Sequence, residues 1–376
     1  MAQRSPSGQR NRTVAACGVR LAKPRQPGGF RQVNSASEAE PQFSRTELAR
    51  LPIGAGRLYA LLLGMLVLTI AASLLLGRTS LDAVGLRSTL LTLRALRLSA
   101  ALVSGAALAV GGVLVQGLFR NPLASPDILG TTAGAALGGR GALLLATFGT
   151  AGFAHSELFM PMGCIVGGLL ALLVLMMVAR NQNDLFVLLL TGFLLSSLFI
   201  SLGGFLSSLA QERWELARAM MAFTLGDVSG VGPRPILMAL PLVTSGICAA
   251  WFWGRSLDAM LSGPEEAASL GVEVESLRRW VVVWTAVITG AAVAVAGTVG
   301  FVGLVVPHAL RPFAGVKHRT LVPACALGGG TFVAACDVLC RVLPTRSEVP
   351  LGVVTGLIGA PVFLLLLIRS RAGSYD

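Results

Sequence analysis

Charge is scarce in this chain. Only 13% of its 376 residues are Asp, Glu, Lys or Arg, about half of what a soluble protein carries, so the sequence cannot dress a globular surface in water. Histidine is limited to three scattered residues, His155, His308 and His318, and tyrosine to two. No GxxxxGK[ST] segment occurs, so the chain has no phosphate loop of that kind, and the absence of HExxH excludes that zinc-hydrolase signature. Six cysteines, Cys17, Cys164, Cys248, Cys325, Cys336 and Cys340, form no CxxC pair. Cys336 and Cys340 fall on one helix face, and small side chains filling helix interfaces are the expectation for them. No catalytic residue and no bound metal are expected.

Apolar and small residues fill the space that charge leaves. Hydrophobic residues make up 54% of the chain, with 45 glycines and a mean hydropathy of +0.75. The net charge of +12 is unevenly placed: residues 1–57 hold 10 Lys and Arg against 3 Asp and Glu, and the rest holds 20 against 15. Residues 1–57 are rich in Arg, Gln, Ser, Gly and Pro and lack the layout of a signal peptide. They are expected to form a disordered basic cytoplasmic tail, with no nucleic acid as partner.

A helix needs about 20 apolar residues to cross a bilayer. Runs of that kind cover residues 58–77, 98–119, 127–149, 158–179, 185–209, 235–254, 280–299, 300–316, 320–342 and 351–369. Long unbroken runs are helical rather than barrel-like. The expected fold is an all-α polytopic membrane protein: ten transmembrane helices over residues 58–371, then a short C-terminal tail, 372–376. Ten spans put both termini on one side, and the basic tail favours the cytoplasm. The loops do not help, because ten basic residues then lie on each side.

An internal echo supports a repeat. GAALAVGG at 105–112 returns as GAAVAVAG at 290–297, and the same offset carries Pro122 onto Pro307, Ala124 onto Ala309 and Gly130 onto Gly315. A repeat of five spans must be inverted, which is a transporter signature.

Four stretches interrupt the apolar pattern. In QGLFRNPLASPDILG (116–130), Pro122 and Pro126 break the helix, and Asn121, Pro122 and Leu123 read either as a tight turn or as a gate. In the loop 256–279, Gly263 and Pro264 open a short helix with Glu265 and Glu266 at its positive end, and Gly271 closes it. That is a rigid knob suited to a cytoplasmic partner. In GFVGLVVPHALRPFAG (300–315), Pro307, His308 and Arg311 read either as a helix end at the inner face or as a proton relay. Arg94 and Arg97 share a helix face, with Arg341 on the same side; they read either as a docking surface for carboxylates or as headgroup anchors.

RxxR before the second span, GAALAxxGxxxQxLxRNPLAxPDxLG, GxEEAxSLGV, GFVGLxVPHxxR and ExPxGxxTxLIGAPxFLxLL follow one another over residues 58–371. In that order they resemble the FecCD-type permeases, the membrane subunits of ABC importers for iron-siderophores, haem and cobalamin. The resemblance implies a permease pair, either a homodimer or a close heterodimer, in the cytoplasmic (inner) membrane among lipid. It also implies two ATPase subunits that carry the ATP and Mg, and an extracytoplasmic binding protein that delivers a ferric siderophore. The family's ATPase-coupling loop falls on Gly263, Glu265, Glu266, Ala267, Ser269, Leu270 and Gly271. Its binding-protein docking arginines fall on Arg94, Arg97 and Arg341, and its cytoplasmic gate on Asn121 and Leu123. Two departures stand out. The usual RLPR reads RALR here, and the SSGA or SNGA run after PDxLG reads TTAGA at Thr131–Ala135.

Overall fold

The computed structural model describes residues 54–77, 87–148, 157–178, 185–344 and 348–372. Residues 1–53 of the expected tail and 373–376 of the C-terminal tail lie outside them, as do Cys17 and His155. The described residues fold into helices throughout: α1 (Ala55–Leu75), α2 (Arg87–Phe119), a 3-10 turn (Pro126–Leu129), α3 (Thr131–Phe148), α4 (Phe159–Val178), α5 (Leu185–Leu209), α6 (Trp214–Leu225), α7 (Pro233–Phe252), α8 (Gly254–Met260), α9 (Pro264–Ser269), α10 (Val274–Ala296), α11 (Val302–Ala314), α12 (His318–Val342) and α13 (Leu351–Ala372).

Each of the ten expected spans coincides with one helix: α1 to α5, α7 and α10 to α13. Among the described residues, seven of them are long and apolar enough to cross a membrane alone. Several boundaries differ, and three of the differences have a local reason. α2 begins at Arg87 rather than 98, because RALR has no proline to break it. The third helix begins at Thr131 rather than 127, since Pro126 starts a 3-10 turn that Gly130 closes at φ 78°. α11 begins at Val302 and has only 13 residues, about 20 Å of helix, so it cannot cross the bilayer by itself. Gly297 and Phe301 take positive φ, 66° and 68°, and break the chain between α10 and α11.

Small residues decide which helices are central. α2, α10 and α12 are largely buried, whereas α1, α4, α5 and α7 expose most of their surface. Without a hydrophobic drive between helices in lipid, close packing needs small side chains. At the α2–α12 crossing a Cβ on Gly105 would fall 2.3 Å from the carbonyl oxygen of Gly329. At the α2–α11 crossing a Cβ on Gly112 would fall 2.0 Å from that of Gly303. Cys164, Cys325, Cys336 and Cys340 are buried and free, and Cys248 is exposed.

The packing exchanges partners between the two halves of the chain. α2 packs on α12 and α11, and α10 packs on α4 and α3. The echo is incomplete: Gly297 caps α10, whereas Gly112 lies inside α2. Pro122 sits in a turn while Pro307 sits inside α11. Where α10 ends, the Asp227 N–H donates to Ala296 O, Thr298 N–H to Phe223 O and Leu351 N–H to Gly226 O, so the non-helical backbone is satisfied within the protein.

Candidate functional site

At one end of the bundle the three arginines meet. Arg97 Nε donates to Asp337 Oδ1 at 2.6 Å and its Nη1 to Glu348 Oε2 at 2.7 Å. Arg341 Nη2 pairs with Asp337 Oδ2 at 2.9 Å and donates to Ser73 Oγ at 2.7 Å, while its Nη1 donates to Ser73 O at 3.0 Å. Arg94 Nη1 donates to Leu74 O at 2.7 Å and Leu75 O at 3.1 Å. α1 has no basic residue in its last turn, so its final carbonyls are orphaned. Arg94 and Arg341 satisfy them from other helices, where a cation also suits the negative end of the helix dipole. These two are only 7% and 5% exposed. The residues are assembled as one cluster, but two of the three are turned inward. Asp337, near the end of its span, is buried at 1% and holds Arg97 and Arg341 together.

At the other end stands the expected knob. α9 runs only from Pro264 to Ser269, opened by Gly263 at φ 133° and closed by Gly271 at φ 85°. Ala267 is fully buried and anchors it, whereas Glu265, Glu266, Ser269 and Leu270 are exposed. Leu270, 72% exposed, is a large apolar side chain just beyond the end of this short helix.

Between α2 and the 3-10 turn, Asn121 Oδ1 accepts from the Leu123 N–H at 2.9 Å, and Asn121 O from the Ala124 N–H at 3.1 Å. Asn121 thus builds its own turn, and Leu123 stands out at 40% exposure. Beside it, Gln116, 1% exposed, donates through Nε2 to Gly303 O at 3.1 Å and accepts from Arg311 Nη2 at 2.8 Å. Arg311 of the expected inner helix end is thereby tied to α2 across the repeat. Pro307 is buried, and the His308 ring meets the Phe363 edge at 5.9 Å.

Two arrangements rest on contacts that no local stretch shows. Gln116 opens the 116–130 stretch and is a fixed position of the family motif, but the sequence does not show which groups it joins. Asp258 of α8 and His318, the first residue of α12, lie 60 residues apart, yet Asp258 Oδ1 meets the His318 N–H at 2.9 Å and Nδ1 at 2.7 Å. In α6, Leu216, Met220 and Phe223 are buried at helical spacing, a periodicity that marks an amphipathic helix. Among the described residues no group of three or more His, Cys, Asp or Glu is placed to hold a metal ion.

The described residues thus form a helical bundle with a short exposed helix at one end and an arginine cluster at the other. Residues 58–369 match the FecCD transport family, and the chain belongs to it. It is 38% identical over 275 residues to the Fe(3+) dicitrate transport system permease FecD of Escherichia coli, covering 73% of this chain and 83% of that one. It is 36% identical to the cobalamin import permease BtuC of Halobacterium salinarum, over 73% and 72% of the two chains. With the hemin transport permease HmuU of Yersinia pestis the identity is 35%, over 75% and 83%. Among solved structures, an inward-facing metal-chelate-type ABC transporter superposes with a TM-score of 0.75 at 30% identity, covering 84% of this chain and 99% of that one. The protein is a multi-pass permease subunit of an ABC importer, a class in which a second permease and separate ATPase subunits complete the machine.

Proposed function

We propose that the chain carries a ferric siderophore across the cytoplasmic membrane, as one of a permease pair served by two ATPase subunits and a binding protein. The observation that carries this reading is the family match over the whole helical domain, residues 58–369, together with a first relative named for ferric dicitrate. In this reading the 263–271 knob receives the ATPase stroke, and a binding protein docks at the Arg94, Arg97 and Arg341 end. The turn at Asn121, Pro122 and Leu123 opens and closes the inner path. Both termini then lie in the cytoplasm. Arg97 is the least buried of the three, with its Nη1 covered by Glu348, 40% exposed at the side chain, so a partner carboxylate would take the place of Glu348 there. The permease itself supplies shape and coupling rather than covalent chemistry.

A second reading within the class, cobalamin or haem, is favoured by the names of the other relatives. The test is uptake into proteoliposomes holding the assembled transporter, with iron-labelled siderophore, cobalamin and haem supplied in turn on the binding protein. ATP-dependent iron uptake is the expected result. Uptake of cobalamin or haem alone overturns the siderophore assignment. Uptake that survives loss of ATP hydrolysis but collapses with the proton gradient would point instead to a proton-coupled carrier centred on His308.

A further inference from the structure

α12 is tied by carboxylates at both of its ends. At its start the N-cap residue Lys317 makes no side-chain cap, although the first N–H groups of a helix need acceptors. The acceptor comes from α8: Asp258 Oδ1 receives the His318 N–H at 2.9 Å and meets Nδ1 of the same residue at 2.7 Å. A carboxylate there also faces the positive end of the α12 dipole. The imidazole is 4% exposed and is wedged against α2, where a Cβ on Gly117 would fall 2.4 Å from Nε2.

α8 is continuous with the knob. Leu257 and Met260 of α8 and Ala267 of α9 are buried in the same core, and the Gly263 N–H donates to Met260 O at 3.1 Å. Next to His318, Arg319 lies over the Trp251 ring at 4.8 Å, which fixes the start of α12 to the end of α7. From there α12 runs 25 residues, about 37 Å, past the tight Gly105–Gly329 crossing to Asp337 and Arg341. These bind Arg97 and the end of α1.

We propose that Asp258 and His318 form the joint through which movement of the 263–271 knob is passed to α12, and that α12 carries it toward the arginine cluster. Asp258 and His318 are positioning residues for coupled transport, and the inference rests on the reading of the knob as the ATPase contact. Energetic coupling between distant sites needs an element that both ends bias, and α12 is held at both.

The test uses the complete transporter in proteoliposomes and reads basal ATPase activity, its stimulation by loaded binding protein, and ATP consumed per substrate imported. Asp258→Ala and His318→Ala should each leave basal hydrolysis near wild type while lowering stimulation and uptake about tenfold, the scale of one charge-assisted hydrogen bond. ATP consumed per substrate should rise. Asp258→Asn keeps an acceptor oxygen and should retain most coupling, and the double alanine variant should be no worse than either single one. Gly117→Ala leaves both partners in place but displaces the ring, and it should uncouple as well; it serves if the alanine variants fail to assemble. Wild-type stoichiometry in Asp258→Ala or in Gly117→Ala, or losses that multiply in the double variant, overturns the joint. Failure of the knob reading is distinct: crosslinkers at Glu266 or Leu270 of the wild-type transporter would then capture no ATPase subunit, whatever the Asp258 and His318 variants do.

Discussion

Asp337 is 2.6 Å from Arg97 Nε, and this buried carboxylate, rather than lipid or solvent, is what the arginine at the start of the transport domain meets first. The same carboxylate takes Arg341 at 2.9 Å. Removing one partner of a buried ionic group leaves the others uncompensated, at a cost of about 3–5 kcal/mol. Asp337→Asn should therefore lower the thermal unfolding temperature of the detergent-solubilised protein strongly. Glu348→Gln, whose side chain is 40% exposed, should cost less than about 1 kcal/mol because water screens the pair. Equal losses in the two variants would show that the cluster is not organised around Asp337.

The α2–α12 crossing should tolerate no side chain. Gly329→Val places a branched group where a Cβ already falls 2.4 Å from Gly105 O, and the obstruction is backbone that cannot swing away. Folded yield, read as the monodisperse fraction after solubilisation, should collapse. Gly64→Ala, where nothing lies within 4 Å of the new Cβ, should leave the yield unchanged. Normal yield of Gly329→Val would mean that the helices pack less closely than described.

Leu270 and Glu266 should lie against another protein in the assembled importer. Photo-crosslinkers placed at either position are expected to capture an ATPase subunit, and Leu270→Asp to weaken copurification of that subunit. Labelling by water-soluble reagents alone in the full complex would remove the knob from the ATPase contact.

Buried polar satisfaction gives the last expectation. Gln116→Leu leaves Gly303 O without the 3.1 Å donor and Arg311 without the 2.8 Å acceptor that Gln116 supplies, and an unmet buried polar group costs about 1–3 kcal/mol. A lowered unfolding temperature is expected even though the substitution makes the span more apolar. An unchanged or raised temperature would mean that water or another residue replaces both bonds.

The ten spans were legible because apolar length is a local property, readable without knowing what each helix touches. Helix starts were less so. The polar residues of Arg87–Arg97 look like a loop when counted by hydropathy, yet they extend α2 because their partners, Asp337, Glu348 and the α1 carbonyls, wait on other segments. α6 is hidden for a different reason: its Arg and Glu residues mask the buried spacing of Leu216, Met220 and Phe223.

The sequence by itself determined the class: scarce charge, long apolar runs, a repeat of five spans and motifs in family order leave a membrane permease as the consistent reading, and Pro264 with flanking glycines sets the knob. Only the tertiary structure decided what the charges do. Arg94 and Arg341 are turned inward onto the end of α1, and Asp258 reaches His318 from 60 residues away. A buried ion in lipid or protein must find a partner wherever the fold brings one, and that choice depends on helix packing, which no local stretch of sequence encodes.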